Sequence, residues 1–273
     1  MVFCYNNYMK KERLDRLLVS RGLAESQSAS QRLVMAGQVR VEGQVVLQPG
    51  MLVAPEMEIS IMRGPRFVSR GGEKLEGALQ TFPIQVAGRV CADVGASTGG
   101  FTDCLLQHGA ARVYAIEVGK GILDWKLRQD ARVILMEATN ARKVQRLPEQ
   151  VSLVTIDVSF ISLKVILPVL RGWLAPGKTN DIIALVKPQF EASRQHAAQG
   201  KGVIRDPALH RQVLQEILSF AQAKGFGVMG AMRSPLTGSK GNREFLVWLS
   251  YPASDRCPTE QDLSDQLQNA IGA

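Results

Sequence analysis

Cysteine is scarce in this chain. Four occur in 273 residues, Cys4, Cys91, Cys104 and Cys257, widely spaced and with no CxxC pair. A disulfide framework needs denser and more regular thiols, so a reducing, cytosolic protein is expected. Zinc-ligand spacing is missing, and His108, His196 and His210 are read as unclustered with the cysteines, so no structural metal is expected. Long apolar runs are absent too. Stretches such as residues 165–170 fall far short of the roughly 18–20 residues that span a bilayer. The opening MVFCYNNYMKKERL lacks the apolar core and small cleavage residues of a secretory signal. No internal repeat or low-complexity segment occurs, and 12 Pro stand beside 25 Gly, which excludes a collagen, a mucin or a mostly disordered chain.

The composition is that of a globular protein, 45% hydrophobic and 21% charged. At roughly 100–200 residues per domain, the length suits one large domain or two unequal ones. Lys plus Arg number 33 against 25 Asp plus Glu, a net charge of +8. The excess is uneven: residues 1–72 carry +4, residues 73–250 carry +7 and residues 251–273 carry −3. It is densest per residue at the front, where Arg63, Arg66 and Arg70 sit with no acid between Ile61 and Gly72. Such an excess attracts polyanions, and nucleic acid is the usual candidate.

Leu14, Leu17 and Leu18 lie at i, i+3, i+4 and predict a short amphipathic helix over 12–21, stopped at Gly22. Ser26 or Ser28 can cap a second helix that ends at Gly37. Val39, Val41, Val45 and Leu47 alternate around a turn at Glu42-Gly43, and Met57, Ile59 and Ile61 alternate again. Residues 11–62 therefore read as a small α+β domain, and 63–70 as a basic linker punctuated by Pro65. Beyond it, after a helix at 73–81, strand-like runs at 90–94, 112–118, 132–136, 152–158 and 181–187 alternate with helical segments at 100–108, 120–128, 162–174 and 207–224. A last pair, 227–232 and 243–249, reads as an antiparallel edge hairpin. The pattern predicts a doubly wound α/β domain over 71–250, a seven-stranded, mostly parallel sheet with an antiparallel edge strand. Residues 251–273 are left as a C-terminal tail.

The stretch Asp93-Val94-Gly95-Ala96-Ser97-Thr98-Gly99-Gly100 follows a strand and opens a helix at Phe101. In an open α/β sheet, ligands bind outside the carboxyl ends of the strands. The spacing is GxxxGG, neither the GxGxxG of a pyrophosphate site nor a P-loop. Asp93 suits a cationic ligand, and S-adenosylmethionine carries an ammonium, a sulfonium and no phosphate. Glu117 ends the next strand, where a carboxylate can accept from both ribose hydroxyls. Asn140 follows the third strand and completes the candidate cofactor set with Gly95, Ser97, Thr98, Gly99, Gly100, Phe101 and Asp157.

Several longer strings resemble the TlyA family: FVSRGGEKL (67–75), DVGASTGGFTDCLLQHGA (93–110), WKLRQD (125–130), DVSFISL (157–163), LVKPQFE (185–191) and GNREFL (241–246). The resemblance covers about residues 11–250. The family is also called hemolysin-A-like and is similar to FtsJ-type ribose methyltransferases. It adds an αL module of the kind found in ribosomal protein S-four, so the resemblance implies an RNA-binding front domain and a Rossmann-like methyltransferase domain. It further implies S-adenosylmethionine-dependent 2′-O-methylation of cytidine in ribosomal RNA, within one or both subunits. A Lys-Asp-Lys-Glu catalytic group falls, by motif, on Lys74, Asp157, Lys187 and Glu244. Glu117 stands where the family more commonly has Asp; a longer carboxylate still reaches ribose.

The chemistry is consistent with that group. A ribose 2′-hydroxyl is a poor nucleophile at neutral pH, so alignment of its oxygen with the methyl carbon and the departing sulfur supplies much of the catalysis. A nearby lysine can stabilise the developing oxyanion or accept the proton. Lys187 is taken as the central group, with Lys74 and Glu244 orienting it and the ribose. Phe160 and Phe190 could stack on a base, although aromatic residues near strand ends more often belong to the core. Arg13, Arg16, Arg21, Arg32 and Arg40 of the front domain, with Arg63, Arg66 and Arg70, are the candidate phosphate contacts. Competing readings are an exocyclic-amino methyltransferase, favoured by DVSF at a strand end, and a non-catalytic ribosome-binding factor, which the complete glycine loop disfavours. A pore-forming hemolysin finds no amphipathic membrane helix to support it.

Overall fold

The computed structural model describes residues 11–62, 64–193, 202–238, 240–254 and 257–272. The chain forms two compact units, divided between Arg66 and Phe67. The first comprises β1 (Glu12–Arg13), α1 (Leu14–Ser20), α2 (Gln27–Met35), β2 (Val39–Val41), β3 (Gln44–Val45), β4 (Leu52–Val53) and β5 (Ile59–Ile61). The leucine triplet of α1 is buried with Val34, Val39, Val41 and Val53. Ser26 caps α2 by accepting from the Ala29 N–H at 3.2 Å. Glu42 and Gly43 both adopt positive φ (49° and 76°), as a tight hairpin between β2 and β3 demands. Strand β2 also pairs antiparallel with β5, and β1 with β4.

Among the described residues of this small unit, Asp15 is the buried charged side chain, alongside buried Ser30. Asp15 is fully buried on α1 and accepts from Arg13 Nε (3.0 Å) and Nη2 (2.8 Å), from Gln31 (3.0 Å) and from Gln27 (3.2 Å). The Arg13 hydrogen bonds hold its carboxyl well below the usual carboxylate range, against the opposing pull of burial.

The second unit begins earlier than the sequence suggests. Phe67 is buried in its core, and the Val68 N–H donates to Asp103 Oδ2 at 2.9 Å, so the end of the expected linker belongs to this unit. Its elements are α3 (Gly71–Thr81), β6 (Val90–Val94), α4 (Gly100–Gln107), β7 (Arg112–Ile116), α5 (Trp125–Arg128), β8 (Val133–Met136), β9 (Leu153–Ile156), α6 (Leu163–Leu170), β10 (Asn180–Val186), α7 (Pro188–Glu191), α8 (Pro207–Ala223), β11 (Gly227–Arg233), β12 (Phe245–Tyr251) and α9 (Glu260–Gly272).

The seven strands lie in the order β11-β12-β10-β9-β6-β7-β8. Strands β6 to β10 run parallel, and β12 is antiparallel to both β10 and β11. The antiparallel strand is therefore one place in from the edge, and β11 is the edge strand. Apolar cores cover both faces of the sheet, which is why its strands read as continuous rather than alternating hydrophobic runs. The expected helix over 120–128 shrinks to α5: Gly121 adopts φ +75°, outside the helical range, and Asp124 caps the short helix by accepting from the Lys126 N–H at 2.9 Å. The segment set apart as a tail also packs on the domain: α9 buries Leu267, Ala270 and Ile271, and Gln266 accepts from the Ala231 N–H of β11 at 3.1 Å. Among the described residues no helix is long and apolar enough to cross a membrane.

Candidate active site

Three adjoining clefts lie at the carboxyl ends of the strands in the large unit. The loop between β6 and α4 forms the floor of the first. Gly95 has φ +84°, and a Cβ there would lie 2.5 Å from the Asp157 carbonyl oxygen, so only glycine fits. The Gly95 and Ala96 N–H groups both donate to the Ile116 carbonyl, pinning the loop to β7. Glu117 follows β7 and braces the loop from its side, accepting from the Ser97 N–H at 2.9 Å and the Gly119 N–H at 2.8 Å. The first cleft, about 400 Å³, is bounded by Gly95, Ser97, Glu117, Asn140 and Asp157, with Ile116, Val118, Ile161 and Ile166 as apolar walls.

The second cleft, about 260 Å³, shares Gly95, Ser97, Asp157 and Ser159 with the first. It adds Thr98, Gly100 and Phe101 from the loop, and Arg70, Lys74 and Lys187 on its far side. The third, about 480 Å³, shares Lys74, Ser159 and Lys187 with the second and adds Phe160, Gln189, Phe190 and Glu244. Lys74 and Lys187 thus stand where two clefts meet.

Each lysine has its own carboxylate. Lys74, in the first turn of α3, donates to Glu244 Oε2 at 2.5 Å, and both residues are buried. Lys187, at the end of β10, lies 2.5 Å from Asp157 Oδ1, just past the neighbouring parallel strand β9. That contact is electrostatic rather than an aligned hydrogen bond, since Asp157 Oδ1 has no hydrogen-bond partner. The aligned bond of Lys187 Nζ runs to Ser159 Oγ at 3.0 Å. Ser159 was missed from sequence, although its place two residues after Asp157 was a usable signal. Gln189 was missed as well; its buried Oε1 has no partner.

Phe160 is 88% exposed and adopts φ +63°, strained for a bulky residue. Its ring meets that of Phe190 at 4.7 Å between centroids, and Lys187 Nζ lies 6.0 Å from the Phe190 centroid. The two phenylalanines considered for base stacking are therefore paired, and both line the third cleft.

Other expected site residues lie elsewhere. Asp93 lines none of these clefts. It is fully buried and accepts from Thr102 Oγ1 at 2.7 Å and Thr155 Oγ1 at 3.1 Å; burial pushes its carboxyl up to about 7. It braces the start of α4 against β9 from beneath. Gly99, at φ +97°, shapes the helix start without lining a cleft. Arg13 is committed to Asp15, Arg21 donates to the Met57 carbonyl (3.0 Å) and the Pro55 carbonyl, and Arg40 donates to the Gly43 carbonyl (3.1 Å). Arg16 and Arg32 are exposed, and Arg66 is exposed with a contact of its own. Arg63 lies outside the described residues. Arg70 lines the second cleft while donating to the Thr237 carbonyl at 2.9 Å. The reading of the histidines as unclustered is also corrected: His108 lies against Cys104, one helical turn away, and against Glu76.

A seven-stranded sheet of this order, with a glycine loop and an acidic strand end framing a cleft, defines the class of Rossmann-like methyltransferases. The chain belongs to the FtsJ-like methyltransferase family, which matches residues 67–251, and an S4 domain matches residues 12–59. It is 49% identical over 250 residues to the candidate rRNA methyltransferase YqxC of Bacillus subtilis, spanning 89% of this chain and 87% of that one. It is 42% identical over 266 residues to the 16S/23S rRNA (cytidine-2′-O)-methyltransferase TlyA of Mycobacterium tuberculosis, spanning 96% of this chain and 98% of that one. Among solved structures, a candidate hemolysin from Streptococcus thermophilus superposes with a TM-score of 0.68 at 42% identity, covering 95% of this chain and 96% of the other.

Proposed function

We propose that this methyltransferase moves a methyl group from S-adenosylmethionine to the 2′-hydroxyl of a cytidine in ribosomal RNA. The observation that carries this reading is the convergence of two lysine–carboxylate pairs, Lys187–Asp157 and Lys74–Glu244, at the junction of the second and third clefts. Cytidine and ribosomal RNA come from the name of the Mycobacterium tuberculosis relative.

The first two clefts fit the cofactor. The Gly95 backbone leaves room for close approach, and each Glu117 oxygen keeps a lone pair for a ribose hydroxyl. Ile116, Val118, Ile161 and Ile166 offer an apolar wall for a purine, and Ser97, Thr98, Gly100, Phe101 and Asn140 complete the set. When bound, S-adenosylmethionine supplies an electrophilic methyl on a cationic sulfur. Lys187 Nζ, fixed by Ser159, holds the acceptor oxygen and stabilises the charge that develops on it. The proton leaving the hydroxyl passes to the Lys187–Asp157 pair beside it. Lys74 and Glu244 offer a donor and an acceptor to the ribose, so that its oxygen is already aligned. Phe160 and Phe190 receive the base. Exposed Arg16 and Arg32 of the S4 unit and Arg70 at the cleft grip phosphates.

Methylation of a base amino group is a second reading, favoured by the exposed Phe160 four residues beyond β9. Incubation with labelled S-adenosylmethionine and separated ribosomal subunits, followed by nucleoside mapping, tests both. A 2′-O-methylated cytidine is expected. A methyl on a base supports the second reading, and no transfer to either subunit overturns both.

A further inference from the structure

Outside the clefts, three chemically distinct metal-ligating side chains meet between α3 and α4. Glu76 projects from α3, Cys104 from α4, and His108 caps the end of α4. Glu76 Oε2 lies 3.3 Å from His108 Nε2 and 3.8 Å from Cys104 Sγ, and the candidate ligand atoms of all three residues lie within 4.8 Å of one another. Cys104 is fully buried, whereas His108 is partly exposed, so the cluster has a protected floor and an open side.

Hydrogen bonding fixes how the imidazole is presented. His108 Nδ1 lies 2.9 Å from the Cys104 carbonyl oxygen, which can only accept, so Nδ1 carries a proton. Nε2 then faces Glu76 either as a donor in an imidazolium ion pair or as a lone pair directed at a shared cation. A charge-assisted N–H···O bond is typically about 2.7–2.9 Å long. The observed 3.3 Å is longer. It equals the edge between nitrogen and oxygen ligands on a tetrahedral zinc with bonds of about 2.0–2.1 Å, which is about 3.3 Å. An Nδ1–H bonded to a backbone carbonyl is also the usual outer-shell brace of a metal-bound histidine.

We propose that Cys104, His108 Nε2 and Glu76 form a binding site for a single divalent transition-metal ion of the zinc type, with the fourth position open to solvent. The ion replaces the Cys104 thiol proton, which leaves to solvent, and is held by thiolate, imidazole and carboxylate. It ties α3, which carries Lys74, to α4, which grows from the glycine loop. A bound ion therefore braces the two elements that frame the second cleft without entering the chemistry.

Cobalt(II) titration of the intact chain tests the site, because a Co–thiolate bond gives a charge-transfer absorption that oxygen or imidazole ligation does not. One equivalent of cobalt should produce that band, and zinc should displace it stoichiometrically. Cys104→Ser should abolish the band, and His108→Ala and Glu76→Gln should each weaken binding at least about 100-fold. Zinc should raise the melting temperature of the parent chain but not of His108→Ala, whose altered side chain is partly exposed and leaves the core intact. The proposal is overturned if no charge-transfer band forms, if the band survives in Cys104→Ser, or if His108→Ala and Glu76→Gln bind cobalt as tightly as the parent.

Discussion

The two units place buried charge in opposite settings. In the S4 unit, Asp15 is neutralised from the surface by Arg13 and two glutamines, and the arrangement serves only that unit's fold. In the methyltransferase unit, Asp93 is given two hydroxyl donors and no cation, while Asp157 and Glu244 at the clefts are each paired with a lysine. A buried carboxylate facing an arginine is held ionised. One facing only hydroxyls is pushed toward its neutral form. The small unit thus commits Arg13 to its own fold, while the large unit sets Lys74 and Lys187 at the clefts and uses Lys126 and Lys164 in ion pairs elsewhere.

Lys187→Ala breaks that contrast most severely. If the lysine serves chemistry, methyl transfer falls about 10³-fold, within the usual range for a positioned acid–base or electrostatic group. Cofactor affinity by calorimetry and the melting temperature should stay close to those of the parent. A large loss of stability with modest loss of rate would make Lys187 a fold element like Arg13.

Lys74 separates the two roles within one pair. Lys74→Ala leaves Glu244 buried and uncompensated, which costs about 3–5 kcal/mol of stability. Lys74→Met with Glu244→Leu removes both charges and should recover most of that stability while transfer stays at least about 10²-fold down. Recovery of activity in the double variant would remove the pair from the site.

The two aspartates predict opposite pH responses. The lowered carboxyl of Asp15 contributes stability above about pH 4, and that stability is lost as the pH falls below it. The raised carboxyl of Asp93 works the other way: its contribution is full below about pH 4 and is lost as the pH rises through about 7. Acidification from neutral pH therefore strengthens the large unit through Asp93 before it weakens the small unit through Asp15. Trp125, Trp173 and Trp248 all lie in the large unit, so their fluorescence follows it alone, and amide exchange follows the S4 unit. Asp93→Asn should flatten the fluorescence-detected pH profile between 4 and 7. Asp15→Asn should cost the S4 unit about 2 kcal/mol and remove its acid sensitivity.

Much of this architecture was legible because local periodicity reports which faces are buried. Leu14, Leu17 and Leu18 announced α1, and continuous apolar runs announced strands covered on both sides. The TlyA resemblance grouped Lys74, Asp157, Lys187 and Glu244; parallel strand order accounts for Asp157 and Lys187, which follow the neighbouring strands β9 and β10, whereas Lys74 comes from α3 and Glu244 from just before the antiparallel β12. What escaped depended on spatial order or side-chain direction. Nothing in the local pattern of 227–251 says that β12 inserts between β10 and β11. Asp93 sits in a strand buried on both faces, so sequence could not say whether it pointed to ligand or core; Thr102 and Thr155 decide that. Leu263, Leu267 and Ile271 did carry a helical stripe, and Cys104 and His108 an i, i+4 pair, which were read as a tail and as unrelated residues.

The smallest effect concerns the arginines, and it sharpens the contrast inside the S4 unit itself. Arg13 and Arg21 are bonded to their own unit, whereas Arg16 and Arg32 are exposed and make no side-chain hydrogen bond among the described residues, so the second pair is the freer to meet phosphate. Neutralising one phosphate releases condensed counterions, so each contact adds just under one to the slope of log affinity against log salt concentration. Arg16→Ala with Arg32→Ala should lower that slope for ribosomal RNA by about 1–2, leave the melting temperature of the S4 unit unchanged and leave the cofactor affinity unaltered. Arg13→Ala should do the reverse, destabilising the S4 unit by exposing Asp15 to an uncompensated burial while leaving the salt slope of the folded protein nearly intact. Equal slopes for the parent and the Arg16/Arg32 variant would place the RNA on another face.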